Sequence, residues 1–137
     1  MGDRRRSREI ALQVLFQTEF ATALSADQAL GLYLDNFEAI GEVRDFASQL
    51  VKGVWDNKKE IDSLIQAHSQ SWKINRMAFV DKNILRIAVF ELKFLGGCIP
   101  FQVALDEAIE IGKRFGSLES SAFINGVLDN IAKSLHQ

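Results

Sequence analysis

Residues 80–97 read VDKNILRIAVFELKFLGG and set the class of the fold. Apolar residues recur there every three or four positions, which is the spacing that places side chains on one face of an α-helix. This spacing predicts a helix over about Val80–Leu95 that ends at Gly96 and Gly97. Pro100 suits the first turn of the next helix, because proline has no amide hydrogen to leave unpaired there.

The same periodicity extends in both directions, and no segment shows the sustained alternation of a β-strand. Ser25 and Gln28 have the spacing of a capping box, which predicts the start of the second helix, and Gly41 is expected to end it. The third amphipathic segment has a polar gap over residues 56–60, which fits either a solvated helical turn or a break. The other helices are predicted over about residues 4–23, 25–41, 43–68, 100–116 and 118–135, and the stripe of the second includes Phe37 and Ile40.

The prediction is therefore an all-α domain of six or seven helices in two subdomains, about 1–70 and 71–137. The 137 residues fit one domain, and the composition of 47% apolar and 25% charged residues is close to the globular average. A single cysteine, Cys98, excludes an internal disulfide and favours a reducing compartment. The sequence shows no signal segment and no long uncharged apolar stretch, so we expect a cytoplasmic protein that does not span a membrane.

The reactive residue types argue against an enzyme. His68 falls on an apolar stripe and His136 lies at the terminus, and with one cysteine this makes a transition-metal site improbable. The serines at 117, 120 and 121 have no histidine and carboxylate partners placed to activate them. Gly96-Gly97 is not followed by the Gly-Lys-Ser/Thr of a phosphate loop. We predict no catalytic site, no cofactor and no metal.

Positive charge is gathered in two segments, although the net charge is −2. Residues 1–8 and residues 73–93 each carry +3, and the intervening residues 19–50 carry −5. This balance excludes a protein that coats nucleic acid by bulk charge, so a nucleic-acid site must be a local patch.

The first basic segment consists of Arg4, Arg5, Arg6 and Arg8 at the start of a helix, where cations oppose the helix dipole. Arginine grips phosphate with two parallel hydrogen bonds and stacks on bases, so the segment predicts RNA recognition as one reading and a frayed, solubilising terminus as the other. In the second segment, Lys82, Arg86 and Lys93 share one helix edge beside Phe90. This edge fits a nucleic-acid strand, although taken alone a solvated face with Phe90 in the core is the favoured interpretation.

Short blocks of residues along the chain follow an order and a spacing that are typical of one family. In chain order they are Glu9, Ala11-Leu12, Leu15-Phe16, Phe46-Ala47, Leu50-Val51, Gly53-Val54, Ile61-Asp62, Leu64-Ile65, Trp72, Ile74, Arg76, Val80-Asp81, Ile84–Ala88, Glu91-Leu92, Ile99-Pro100, Val103-Ala104, Glu107-Ala108, Phe115-Gly116, Phe123 and Asn125–Asp129. Over Arg4–Lys133 the chain resembles the NusB family of bacterial transcription antitermination factors.

The resemblance implies a three-helix N-terminal part and a C-terminal part of about four helices. It implies binding of the single-stranded boxA element of nascent ribosomal RNA, together with the small-subunit ribosomal protein that serves as Nus factor E. The complex would join the RNA polymerase elongation complex with other Nus factors and suppress premature Rho-dependent termination. Some members dimerise, so a homodimer is a further expectation.

Carried over residue by residue, the resemblance assigns RNA binding to nine residues. They are Arg4, Arg5, Arg6, Arg8, Phe16, Lys82, Arg86, Phe123 and Asn125. The chain departs from the family pattern at three positions: Phe16 stands where many relatives have tyrosine, Ala122 where lysine is frequent, and Asp106 where asparagine is frequent.

Three other functions compete with RNA-dependent antitermination as interpretations of the sequence. The first is a helical protein–protein or homodimer module without sequence-specific RNA binding. The second is an RNA-docking domain of the kind fused to an rRNA methyltransferase, which the absence of a cofactor-binding βαβ pattern disfavours. The third is a helix-turn-helix DNA reader, for which no short helix pair with a polar recognition face stands out.

Overall fold

The computed structural model describes residues 2–21, 23–36, 41–96 and 98–135. These residues form seven α-helices and one short 3-10 helix at Ile74–Arg76. The α-helices are α1 Gly2–Phe20, α2 Ala26–Asn36, α3 Gly41–Asp56, α4 Lys58–Ala67, α5 Phe79–Phe94, α6 Phe101–Phe115 and α7 Ser120–Leu135. The predicted all-α fold is confirmed. Predictions that concern Phe37, Ile40, Gly97 and His136 fall outside the described residues.

The chain divides into two compact units, residues 1–56 and 57–137. The sequence predicts this boundary near residues 70–75, at the polar connector around Trp72 that follows the third amphipathic segment. The polar gap within that segment is a break: α3 ends at Asp56, and α4 begins at Lys58 after Asn57. The buried residues of α4, Ile61 and Ile65, belong to the second unit, where α4 packs against α5 and α7.

In the first unit, α1 packs against both α2 and α3. The capping box predicted at the start of α2 is present: the Ser25 amide donates to Gln28 Oε1 at 2.9 Å, and the Gln28 amide donates to Ser25 Oγ at 3.1 Å. Gly41 has the positive φ of 60° that only glycine adopts readily, but it is the first residue of α3. The expectation that Gly41 ends the second helix stays a prediction, because residues 37–40 lie outside the described residues.

In the second unit, α5 packs against α4, α6 and α7, and every residue from Lys82 to Leu92 is buried. Phe90 is part of this core. Pro100 immediately precedes α6 and Gly116 caps its end, as predicted. None of the described helices combines the length and the hydropathy that a membrane-spanning segment needs.

Candidate nucleic-acid interface

The arginine-rich start of the chain is helical from Gly2 and is held against α3. The Ser7 hydroxyl is buried and lies 2.9 Å from two carbonyl oxygens, that of Asp3 in the preceding turn and that of Val43 in α3. Because the second contact joins two helices, it fixes the first two turns of α1 in place. The alternative of a frayed terminus does not describe this segment.

The four arginines differ in exposure. Arg4 and Arg6 are exposed, Arg5 is half-buried, and Arg8 is only 2% exposed. The guanidinium carbons of Arg4 and Arg8 lie 4.7 and 5.6 Å from the centroid of the Phe46 ring, which is cation–π geometry. In this structure the buried Arg8 anchors α1 on Phe46, and the expectation that it binds RNA stays a prediction.

Arg6 is also positioned by the first unit. Its Nη2 atom lies 3.4 Å from the Tyr33 hydroxyl of α2, to which it donates a long hydrogen bond. A guanidinium has five N–H donors, so one such contact leaves most of them available to a ligand. Together Arg4, Arg5 and Arg6 form a cationic group at one end of α1.

The aromatic residue predicted to stack on RNA, Phe16, is half-buried on α1. Its ring centroid lies 5.0 Å from that of Phe20, at an interplanar angle of 58°. Phe20 is 65% exposed and was not among the predicted site residues. The sequence signal for Phe20 is its position four residues after Phe16, because residues four apart lie on the same helix face.

The second basic segment does not form the expected exposed stripe. Arg86 is 6% exposed, and its Nε and Nη2 atoms donate to the two carboxylate oxygens of Asp62 at 2.7 and 2.9 Å. Its Nη1 donates to the Oδ1 atom of the buried Asn83 at 3.1 Å. Because α4 packs against this edge of α5 and supplies Asp62, Arg86 is committed to a structural ion pair.

The neighbours of Arg86 on that edge also make contacts within the second unit. Lys82 is 7% exposed, and its Nζ atom lies 4.8 Å from the centroid of the Phe79 ring. Lys93 Nζ donates to Glu60 Oε1 at 2.9 Å, again across to α4. Lys82 and Arg86 are thus both buried in this structure, and their assignment to RNA contacts stays a prediction.

Phe123 and Asn125 lie on α7, where Phe123 is half-buried and Asn125 is exposed. Phe123 lines a groove of about 920 Å³ in the second unit. Other residues of its lining are Trp72, Gly126, Asn130 and Lys133. Ala122 lines it as well, so no cation stands at the position where relatives frequently have lysine.

A smaller cavity of about 260 Å³ shares Trp72 and Phe123 with this groove and is also lined by Arg76 and Asp81. Asp81 Oδ1 is buried and has no hydrogen-bond partner among the described residues. A buried oxygen without a partner is costly, so a donor supplied from outside the chain would be favoured there. In the described residues, no three His, Cys, Asp or Glu side chains are grouped so that they could hold a metal ion.

The comparisons with known proteins agree with this architecture. The model of the NusB family matches residues 5–133. The transcription antitermination protein NusB of Bdellovibrio bacteriovorus is 47% identical over 131 residues, which is 96% of each chain. Because such relatives are antitermination proteins, the prediction that this chain is not an enzyme is confirmed.

Solved structures give the same result. NusB of T. maritima is 40% identical and superposes with a TM-score of 0.86, covering 95% of this chain and 90% of that one. A crystal structure of antitermination factors NusB and NusE in complex with dsRNA contains a chain that is 25% identical, with a TM-score of 0.85 and 98% of both chains covered. The order of the sequence blocks, the helical architecture and these comparisons lead to one assignment: the chain belongs to the NusB family.

Proposed function

We propose that the chain is an RNA-binding antitermination factor. It binds the single-stranded boxA element of nascent ribosomal RNA together with the small-subunit ribosomal protein that serves as Nus factor E. The complex joins the RNA polymerase elongation complex with other Nus factors and suppresses premature Rho-dependent termination. The observation that carries the proposal is the helical, anchored presentation of Arg4, Arg5 and Arg6 at the start of α1.

The arginine group supplies the electrostatic part of binding. Guanidinium groups neutralise phosphates, and the release of counterions from the RNA provides free energy that depends on salt. Arg8 and Ser7 contribute indirectly, because their contacts with Phe46 and Val43 hold the helix start in place. A helix that is already ordered loses less conformational entropy on binding than a disordered segment does.

Aromatic and amide side chains contact the bases and so select the RNA sequence. Phe16 stacks on a base, and in the second unit Phe123 and Asn125 make a further stacking contact and a base-edge contact. A solved relative has NusB and NusE with RNA in one complex, which supports these two partner classes. The chain acts in this proposal as a single RNA-binding domain over residues 1–137.

We place the ribosomal-protein partner at the smaller cavity of the second unit. Trp72 is 54% exposed beside it, and large exposed aromatic side chains are typical centres of protein interfaces. A hydrogen-bond donor of the partner would satisfy Asp81 Oδ1, which is buried and accepts no hydrogen bond from the residues that the structure describes.

The test is a titration of boxA RNA at several salt concentrations, with a scrambled RNA in parallel. Each phosphate contact to a single strand contributes about −0.7 to the slope of log affinity against log salt, so replacing both Arg5→Ala and Arg6→Ala should reduce its magnitude by about 1.4. Arg114→Ala is the matched control, because Arg114 is likewise exposed and lies 5.3 Å from an aromatic ring, that of Phe115.

Two results would count against the proposal. If the slope of the double variant equals that of the wild type, the arginine group is not the docking site. If boxA and scrambled RNA bind equally well in the presence of the ribosomal protein, the chain is a protein–protein module without sequence-specific RNA binding.

A further inference from the structure

A row of exposed side chains continues along α1 beyond the arginine group. Gln13, Gln17 and Phe20 are all exposed. At 100° per residue, these three and Arg6 lie within about 60° of one another around the helix axis. We name Gln13, Gln17 and Phe20 the α1 strip. With a rise of 1.5 Å per residue, Arg6 and Phe20 are about 21 Å apart along the axis, which is long enough for a few nucleotides of a single strand.

The chemistry of the α1 strip fits nucleotide bases. Phe20 offers a large exposed ring, and Phe16 contacts it at a centroid distance of 5.0 Å and a tilt of 58°. Every base has a π-face, so an exposed aromatic ring beside a cationic group is a stacking platform for single-stranded RNA. Gln13 and Gln17 each carry an amide that both donates and accepts, as the edges of unpaired bases do.

The charges around the α1 strip allow an anionic strand to reach it, although the strip itself is uncharged. Glu19 lies about 130° from the centre of the strip around the helix axis, and the half-buried Glu9 lies about 50° from it, between Arg6 and Gln13 along the chain. An anionic strand held by the arginine group would therefore pass beside Glu9 and continue over the amides to the ring. A docking site for an apolar protein segment would need more than one exposed ring among polar residues.

We infer that the α1 strip is a second part of the RNA site, in which a base of the single strand stacks on Phe20 and neighbouring base edges bond to Gln13 and Gln17. The inference rests on the proposed function. It adds the direction that the strand takes after the arginine group, and the residues that contact its bases there.

The test replaces Phe20→Leu, which keeps an apolar side chain of similar helix propensity but removes the π-face. We expect the affinity for boxA RNA to fall about tenfold. The slope of log affinity against log salt should not change, because stacking releases no counterions. Phe115→Leu is the matched control, since Phe115 is 47% exposed on α6 and belongs to no proposed contact.

An RNA series with one abasic position at a time sharpens the result. In the wild type, one abasic position should weaken binding by about the same factor as Phe20→Leu, and in the Phe20→Leu variant that penalty should disappear. Gln13→Ala and Gln17→Ala should reduce the preference for boxA over the scrambled RNA.

The outcomes separate this inference from the proposed function. If Phe20→Leu matches the wild type in affinity and in every abasic penalty while the arginine variants lose salt dependence, the α1 strip is not an RNA site and the proposed function stands. If the wild type binds boxA and scrambled RNA equally, the proposed function fails, and the abasic penalties still report whether single strands stack on Phe20.

Discussion

The two basic segments of this chain have equal net charge, but their arginine side chains differ in exposure. On α1, Arg4 and Arg6 are exposed at the start of the helix. On α5, Arg86 is 6% exposed and holds both carboxylate oxygens of Asp62. The difference shows that a cationic stripe read from the sequence can be buried when a neighbouring helix supplies a carboxylate for it.

The physical reason lies in the residues that pack against each helix. The elements beside the start of α1 offer it the ring of Phe46, the hydroxyl of Tyr33 and the backbone carbonyl of Val43. A ring face stabilises a guanidinium without occupying its N–H donors, so Arg4 keeps its capacity to bind phosphate. A carboxylate such as that of Asp62 occupies the donors in pairs and neutralises the charge.

Among the substitutions that test this comparison, the largest loss of folding free energy is expected at Arg86. Replacing it with alanine removes the ion pair with Asp62 and one hydrogen bond to Asn83. Removing one member of a buried ion pair typically costs about 3 kcal/mol of folding free energy. The measurement is urea denaturation of Arg86→Ala, Asp62→Ala and the double variant, which yields the coupling energy of the pair.

The same Arg86→Ala variant should keep the wild-type salt dependence of RNA binding, measured where it is still folded. A variant of unchanged stability with a reduced salt slope would reverse the assignment, and Arg86 would then belong to the RNA site.

Ser7→Ala tests the other side of the comparison with a smaller effect. The variant loses the hydroxyl contacts with Asp3 and Val43, which should cost about 1 kcal/mol of folding free energy. RNA affinity should fall as well, because the helix start that carries the arginine group is less firmly held. Thr18→Ala is the matched control, since its hydroxyl donates to the Leu15 carbonyl of the same helix, at 2.6 Å. If Ser7→Ala weakens stability but leaves RNA affinity unchanged, anchoring of α1 does not contribute to binding.

Most of the fold follows from local sequence signals. The capping box at Ser25 and Gln28, the glycine cap at Gly116 and the proline before α6 are each decided by residues within a few positions, and each is present in the structure. The break at Asn57 is different, because the apolar spacing on either side of it is in register with one continuous helix. The packing of α4 in the second unit separates it from α3, and that packing depends on residues far apart in the sequence.

The residues of the candidate site also differ in whether local sequence signals predict their exposure. The arginine group could be predicted as a candidate site, because exposed cations at a helix N-terminus oppose the helix dipole and do not stabilise the helix itself. The burial of Arg8, Lys82 and Arg86 could not, since it depends on partners 24 or more residues away, such as Asp62, or on a helix packed alongside. Periodicity identifies which residues share a helix face, but it does not identify what covers that face.

The smallest effect is expected at Lys93, the exposed end of the basic edge on α5. Its ion pair with Glu60 spans 2.9 Å, with side chains that are 32% and 53% exposed. Such a pair is typically worth about 0.2–1 kcal/mol, so Lys93→Gln should shift the unfolding midpoint only slightly, and less at high salt. Since Lys93 is paired within the second unit, RNA affinity and its salt slope should equal those of the wild type. A slope reduced to the extent seen for a single arginine of α1 would mean that RNA displaces Glu60, and the α5 edge would then be a phosphate site that opens only when RNA is bound.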